Sequence, residues 1–144
     1  MGAYIDQADL TSALSQAELV QLTDDDGTGQ VDTAVVDQVI AEAEAEVDAY
    51  LAARYALPLG TVPAIVRRIA VDLAVWALYT RRKLTDEAVN ARRKQAQRLL
   101  EAIARGTVSL GLPAATAPAE SGPTGTKTAD DRVFTAETLR GFTR

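Results

Sequence analysis

The stretch that decides the fold is PAIVRRIAVDLAVWALYTRRK, residues 63–83. Its apolar residues cover most of a helical circumference, which indicates a helix buried among others. Pro63 suits the first turn, and the helix is predicted to end near Arg82, where three consecutive bases complement the negative end of the helix dipole. The apolar part is short for a bilayer and contains Asp72, so it predicts a core helix and no membrane segment.

Two short helices are predicted at the start of the chain, because two N-capping residues precede apolar runs. Asp6 caps a helix that reaches about Leu14. Ser15 and Glu18, three residues apart, form the capping box of a second helix that ends near Leu22. The fold therefore opens with two short helices before any long one.

Two long helices are predicted on either side of the core helix. The first follows the cap residue Asp32, and its apolar residues recur at helical spacing over residues 33–54. The second is capped by Thr85 and stops at Gly106, a residue type typical of helix ends. The sequence therefore predicts an all-α fold, a small bundle of about five helices.

The rest of the chain divides into three parts. Residues 107–113, TVSLGLP, alternate apolar and other residues, which predicts a short extended strand. Residues 113–129 are rich in Ala, Pro, Gly and Thr and hold too little apolar mass to offset the entropy of ordering, so a flexible linker is expected. We therefore divide the chain into a helical domain (1–112), this linker and a C-terminal arm (130–144).

The C-terminal arm has the composition of a tethered docking peptide. Both phenylalanines of the protein lie in it, beyond the linker. Apolar side chains in such a peptide suit the pockets of a partner, and its arginines suit the rim of the contact. The predicted docking residues are Arg132, Val133, Phe134, Leu139, Arg140 and Phe142.

The lack of cysteine and histidine excludes several classes of function. Disulfides, thiolate metal sites and cysteine nucleophiles are impossible, and the commonest general base and transition-metal ligands are missing. No glycine motif that cradles phosphates is present. We therefore expect no catalytic residue, no cofactor and no metal, that is, a non-enzymatic protein.

The first ten residues do not resemble a signal peptide, so the chain is expected to stay in the cytosol where it is made.

Charge is segregated along the chain, although the formal net charge is only −5. Residues 1–66 contain twelve acidic residues and one base, whereas residues 67–106 contain four acidic residues and ten bases. Residues 107–144 contain four of each, so the three segments carry −11, +6 and 0. Such asymmetry predicts complementary surfaces, either folded onto each other or offered to a neighbouring copy.

Residues 24–32, DDDGTGQVD, partly match the calcium-binding loop of an EF-hand. Asp24 stands at the first position and Gly29 at the sixth, where a turn is required. The twelfth position should be a bidentate glutamate, but it is Val35. We therefore expect a glycine turn leading to the cap residue Asp32, and we keep a calcium-modulated helical binding module as an alternative function.

Asp72 is the one acidic residue in the core stretch, which makes it a candidate for a buried acid with a raised pKa. A lone carboxylate without a histidine, a metal set or a second acid has no partner for catalysis. We therefore expect a structural ion pair with Arg68, one turn away, or with Arg54.

The bases over residues 81–98 have the charge needed to follow a phosphate backbone. Two features oppose this interpretation: the protein is acidic overall, and no aromatic residue is interleaved with these bases for stacking. A helical DNA-binding protein is therefore kept only as a further alternative.

Six separated segments, in this order, resemble the Mu-like phage family of small head-to-tail connector, or adaptor, proteins. The resemblance covers nearly the whole chain outside the linker. It is specific because all six segments occur in the right order. They are YIDQADL (4–10), AELVQLTDDDGTG (17–29), VDAYLAARYALPL (47–59), VPAIVRRIAVDLAVWALY (62–79), LLEAIARGTVSLGL (99–112) and RVFTAETLRGF (132–142).

The resemblance implies a structural role in the virion neck, after assembly in the cytoplasm of the bacterial host. Copies of such an adaptor form a homo-oligomeric ring, expected to contain roughly twelve copies, beneath the portal protein. The ring joins the DNA-filled head to a stopper or tail-terminator protein, and packaged DNA passes through without sequence-specific binding. Residues 50–59 and 70–79 correspond to the packed core of the family, and no enzymatic activity is implied.

A ring requires head-to-tail contacts, in which one face of each subunit meets a different face of the next. The segregated charge supplies two such faces, so we predict that an acidic helix of one copy meets a basic helix of its neighbour. The residues predicted for the acidic face are Asp37, Glu42, Glu44 and Asp48. Those predicted for the basic face are Arg92, Arg93 and Arg98.

Overall fold

The computed structural model describes residues 2–115, and within them the chain forms five α-helices and no β-strand. This confirms the predicted all-α fold. Most of the predicted linker and the whole C-terminal arm lie outside the described residues. The helices are α1 (Gln7–Ala13), α2 (Gln16–Thr23), α3 (Thr33–Leu51), α4 (Ala64–Arg81) and α5 (Glu87–Arg105).

Helix α4 lies at the centre of the bundle, as its apolar circumference predicts. It packs against α3 and α5, which also contact each other, while α1 rests on α4 and α2 on both α3 and α4. One hydrophobic cluster joins all five helices, and each fully buried leucine in it contributes about 1.5–3 kcal/mol. Across residues 2–115, none of the helices is both long and apolar enough to cross a membrane. Fully buried leucines include Leu10, Leu19, Leu51, Leu73, Leu78 and Leu100.

The predicted starts of the first three helices are confirmed by the hydrogen bonds of their caps. The Asp6 carboxylate accepts from the N–H of Asp9 at 3.0 Å, which begins α1. Ser15 and Glu18 form the expected capping box, and its hydrogen bonds lower the pKa of the Glu18 carboxyl. Asp32 accepts from two N–H groups in the first turn of α3. Local sequence therefore fixes where these helices begin.

Two predicted helix boundaries are wrong by a few residues. Asp86, not Thr85, is the cap of α5, because the Asp86 carboxylate accepts from the N–H of Val89 at 2.9 Å. Asp86 has extended backbone angles, so the chain enters the helix only after it. Helix α3 ends at Leu51, and the next residues, up to Arg54, form a turn.

The predicted strand after α5 is not formed. No other segment of residues 2–115 pairs with it, and its backbone bonds go elsewhere: the N–H of Leu110 donates to the Tyr55 hydroxyl at 3.1 Å. Val108, Leu110 and Leu112 are nevertheless partly buried against the core, while Ser109 is exposed. The alternation of apolar residues in this segment therefore arises because one side of it is partly buried. The segment itself is irregular and forms no β-ladder.

Candidate functional site

The acidic face predicted on α3 divides into two parts in the structure. Asp37 and Glu42 are exposed on α3, and the Glu42 carboxylate accepts from the side-chain amide of Gln38 at 3.0 Å. Glu44 and Asp48 are half-buried and are engaged by the N-terminal segment of the same chain. Among the described residues, Asp37 and Glu42 are therefore the more exposed of these four side chains.

Glu44 binds the N-terminal segment through three successive backbone groups. Its carboxylate accepts from the N–H of Ala3 at 2.9 Å, from that of Tyr4 at 2.6 Å and from that of Ile5 at 3.1 Å. The Tyr4 hydroxyl donates to Asp48, one turn further along α3. The pKa of the Tyr4 phenol is raised, mainly by burial and to a smaller extent by the hydrogen bond to Asp48. These contacts, named here the N-terminal latch, fix the start of the chain on α3.

The basic face predicted on α5 is also divided. Arg92 and Arg98 are exposed, as a surface for assembly requires. Arg93 is only 16% exposed, because its guanidinium donates to the Glu46 carboxylate at 2.8 Å and lies 4.3 Å from the centroid of the Trp76 ring. The ion pair and the cation–π contact therefore give Arg93 a role within the chain.

Sequence reasoning did not identify the partners of Arg93. Glu46 is 47 positions away, and no local pattern indicates which of the many acidic residues meets which base. Trp76 is held by a second bond, since its indole N–H donates to the Asn90 side chain at 3.2 Å. The packing of α3, α4 and α5 alone brings these groups together.

Part of the segregated charge is thus neutralised inside one chain. Two ion-pair clusters, Glu46 with Arg93 and Asp25 with Arg81 and Arg82, join the acidic segment to the basic one. The sequence allows two interpretations of the segregated charge: pairing within one chain, or pairing with a neighbouring copy. The structure shows pairing within the chain for some of these charges and leaves others exposed on the surface. Over residues 2–115, the predicted basic residues form no ion pair with Glu42, Glu44 or Asp48.

Asp24 and Asp25 of the DDDGTGQVD loop bind backbone N–H groups and arginine side chains of the same chain. The Asp24 carboxylate accepts from the N–H of Thr28 at 2.9 Å and from that of Gly29 at 2.7 Å, and these bonds lower the pKa of Asp24. Asp25 pairs with Arg81 and Arg82 at the end of α4. Among residues 2–115, no group of three or more acidic side chains is arranged to hold a metal ion.

We predict that calcium does not stabilise this protein. Val35 replaces the bidentate ligand, and both oxygens of the Asp24 carboxylate, at the first position, already accept from backbone N–H groups. Thermal unfolding should give the same Tm with a chelator, with micromolar calcium and with magnesium as a control. A Tm that rises with calcium alone would contradict the prediction, because a ligand that binds only the folded state must stabilise it.

Asp72 forms the structural ion pair predicted for it. Its carboxylate lies 3.9 Å from the Arg68 guanidinium, one turn away on α4. Burial raises the pKa of Asp72, and the charges of Arg68 and Arg92 partly oppose that shift. The exposed Arg92 therefore interacts electrostatically with Asp72 of its own chain. Because its side chain is exposed, it can also contact a carboxylate of another chain.

The six predicted docking residues of the C-terminal arm lie outside the described residues. Their role stays a prediction. What the structure does show is the start of the linker: the last described residue, Ala115, donates its N–H to the carbonyl of Arg54 at 2.9 Å, at the end of the bundle where α3 and α5 finish.

Comparison with known proteins gives a consistent result. A family model described as "Bacteriophage Mu, Gp36" matches residues 4–127, which include all five helices. Gene product J of Escherichia phage Mu is 32% identical over 114 residues, or 79% of each chain. The Mu-like prophage FluMu protein gp36 of Haemophilus influenzae is 38% identical over 82 residues, or 57% of each chain. The family match thus extends from Tyr4 over the core and the charged helices.

Proposed function

The chain belongs to the Bacteriophage Mu Gp36 family, and from that premise we propose that it is a head-to-tail connector subunit. Family membership makes it a structural or morphogenetic protein of a Mu-like phage. The proposal adds that roughly twelve copies close into a ring under the portal protein, in the neck of the virion. The ring joins the head to a stopper or tail-terminator protein.

The observation that carries the proposal is the presence of exposed acidic residues on α3 and exposed basic residues on α5. Arg92 and Arg98 are exposed on α5 and form no ion pair within residues 2–115, while Glu42 is exposed on α3. A head-to-tail ring needs two unlike faces on every copy, and opposite charges give such a contact its register. The contact proposed here places Arg92 and Arg98 of one copy against Asp37 and Glu42 of the next.

A passive role in the passage of DNA agrees with the composition. The net charge of −5 disfavours strong binding of phosphate, so a channel built from this chain would not retain DNA during ejection. Without cysteine or histidine, the chain also offers little for catalysis. We therefore propose a structural protein without enzymatic activity.

Reversal of charge at Arg92 and Arg98 should prevent assembly without unfolding the subunit. We expect Arg92→Glu with Arg98→Glu to keep the helical circular dichroism of the parent chain, because both side chains are exposed. The variant should be missing from virions when it replaces the parent protein in an infected host. Arg93 is left unchanged, since its bond to Glu46 belongs to the fold.

The matched control is Arg67→Glu with Lys83→Glu, which changes the net charge equally at two exposed positions outside α5. It should enter virions normally. Adding Asp37→Lys and Glu42→Lys to the reversed protein should restore assembly, because the two faces are then exchanged. Normal incorporation of the Arg92 and Arg98 double variant at physiological salt would disprove the electrostatic contact.

Removal of the C-terminal arm should separate folding from function. We expect a chain without residues 130–144, or one with Phe134→Ala and Phe142→Ala, to fold but to give DNA-filled heads that leak or lack tails. The physical reason is that two buried phenylalanines contribute several kcal/mol, and many tethered copies act together. Electron microscopy of the particles is the measurement; heads with normal tails would contradict this role.

A further inference from the structure

One end of the bundle carries an apolar surface groove that the charged faces do not explain. It lies where the loop between α3 and α4 meets the segment after α5, and its volume is about 410 Å³. Four of its eight lining residues are leucines or prolines. The lining residues are Tyr55, Ala56, Pro58, Leu59, Gly60, Thr61, Leu112 and Pro113.

The chain leaves the described domain at the rim of this groove. Leu112 and Pro113 line it, and Ala115, two residues later, is fixed by its bond to the carbonyl of Arg54. Leu110 is held in turn by the hydroxyl of Tyr55, another lining residue. Every residue that follows is therefore tethered to a point beside the groove.

The tethered sequence contains a segment that suits an apolar groove. Val133, Phe134, Leu139 and Phe142 follow a stretch of Ala, Pro, Gly and Thr. The 16 residues between Ala115 and Arg132 reach at most about 60 Å when extended, which is ample for a return to the groove. A peptide on such a tether has an effective concentration of about millimolar at a nearby site, well above that of a second copy in dilute solution.

A base next to the groove in sequence is complementary in charge to the same occupant. Arg54, next to the lining residue Tyr55, is the only base in residues 1–66. Its Nε is buried and has no hydrogen-bond partner among the described residues. The C-terminal arm carries three carboxylates, Asp130, Asp131 and Glu137, any of which would complement this guanidinium.

We infer that the groove binds residues 132–142 of the same chain before assembly. The apolar side chains of the arm fill the groove, and the free subunit thereby covers the docking peptide that it later offers to a partner. The inference concerns the free chain and stands apart from the proposed ring. It would hold even if the partner of the arm were not the portal protein.

The test uses the full-length chain, which has no cysteine of its own. Thr135→Cys is labelled with a nitroxide, and the amide signals of the ¹⁵N-labelled protein are recorded by NMR with the nitroxide oxidised and then reduced. We expect Gly60 and Thr61 to lose intensity in the oxidised state, while Ser12 in α1 keeps its intensity. Adding Phe134→Ala and Phe142→Ala to the labelled chain should abolish the loss.

A mixture distinguishes the same chain from a second copy. Spin-labelled chain without ¹⁵N is added to ¹⁵N chain without the label, and we expect no loss of signal at Gly60 or Thr61. Loss in this mixture equal to that in the doubly labelled chain would overturn the inference, because the arm would then come from another copy. Unchanged intensity in both samples would overturn it as well, since the groove would not receive the arm.

A substitution in the groove provides the reciprocal check. A Cβ added at Gly60 lies more than 4 Å from every atom of the described residues, and the backbone there is not in the left-handed region, so Gly60→Glu should leave the fold intact. It should remove the signal loss at Thr61 in the labelled chain. Ala49→Glu, at an exposed position of α3 outside the groove, should preserve that loss. If the loss at Thr61 persisted with Gly60→Glu and disappeared with Ala49→Glu, the arm would bind outside the groove.

Discussion

Replacement of Glu44 by alanine is expected to lower the free energy of unfolding by roughly 2–3 kcal/mol, because charge-assisted hydrogen bonds are among the strongest in proteins. Three backbone N–H groups, those of Ala3, Tyr4 and Ile5, lose their acceptor at once. Tyr4 and Ile5 are only 5% and 2% exposed, so water replaces the carboxylate poorly. Urea unfolding followed by circular dichroism measures the change.

The control for this experiment lies half a turn away on the same helix. Glu42→Ala removes the same charge from an exposed position, where, within residues 2–115, the carboxylate accepts a hydrogen bond from the Gln38 side chain alone, so its effect should stay within about 0.5 kcal/mol. Glu44→Gln should fall between the two, because its carbonyl oxygen still accepts while its amide group opposes another donor. Equal stabilities for Glu42→Ala and Glu44→Ala would show that the N-terminal latch contributes nothing.

Substitution of Gly106 should have an effect of similar size for a different reason. Gly106 ends α5 with a φ of +81°, a conformation that costs an alanine about 1–2 kcal/mol. A Cβ at this position would also lie 2.6 Å from Cζ of Arg54, so the guanidinium must move. We therefore expect Gly106→Ala to lower the free energy of unfolding by roughly 2–3 kcal/mol.

Two further variants separate the backbone cost from the steric one. Gly111 has a φ of +71°, and no atom of the described residues lies within 4 Å of an added Cβ, so Gly111→Ala should show the backbone cost alone, about 1 kcal/mol. In a chain that already carries Arg54→Ala, Gly106→Ala should cost less than in the parent, because the clash is gone. Additive effects of the Arg54 and Gly106 substitutions would argue against the close contact.

The boundaries of the helices were largely predictable because capping chemistry is local. Asp6, Ser15 and Asp32 each lie within three residues of the N–H groups that they bind, so spacing along the chain is enough to identify them. The error at Thr85 has the same origin. Thr85 and Asp86 are both suitable caps, and only the backbone angles show that the helix begins after the second.

The candidate site was less predictable, because charge along a sequence gives no distances. Glu44 and Glu46 belong to the same acidic run as Glu42, yet one binds the N-terminal segment and the other binds Arg93. Arg92 and Arg93 are neighbours in sequence, but only Arg92 is exposed. Which charges remain for a partner depends on which side of each helix faces the core.

The helical class, the central position of α4 and the segregation of charge could all be predicted from the sequence, because they follow from apolar periodicity, local caps and composition. The packing of the helices is needed to place Glu44 on the N-terminal segment, Arg93 on the Trp76 ring and the groove beside Leu112 and Pro113. These contacts join residues that are tens of positions apart. Their energies depend on distances that exist only after the helices have packed.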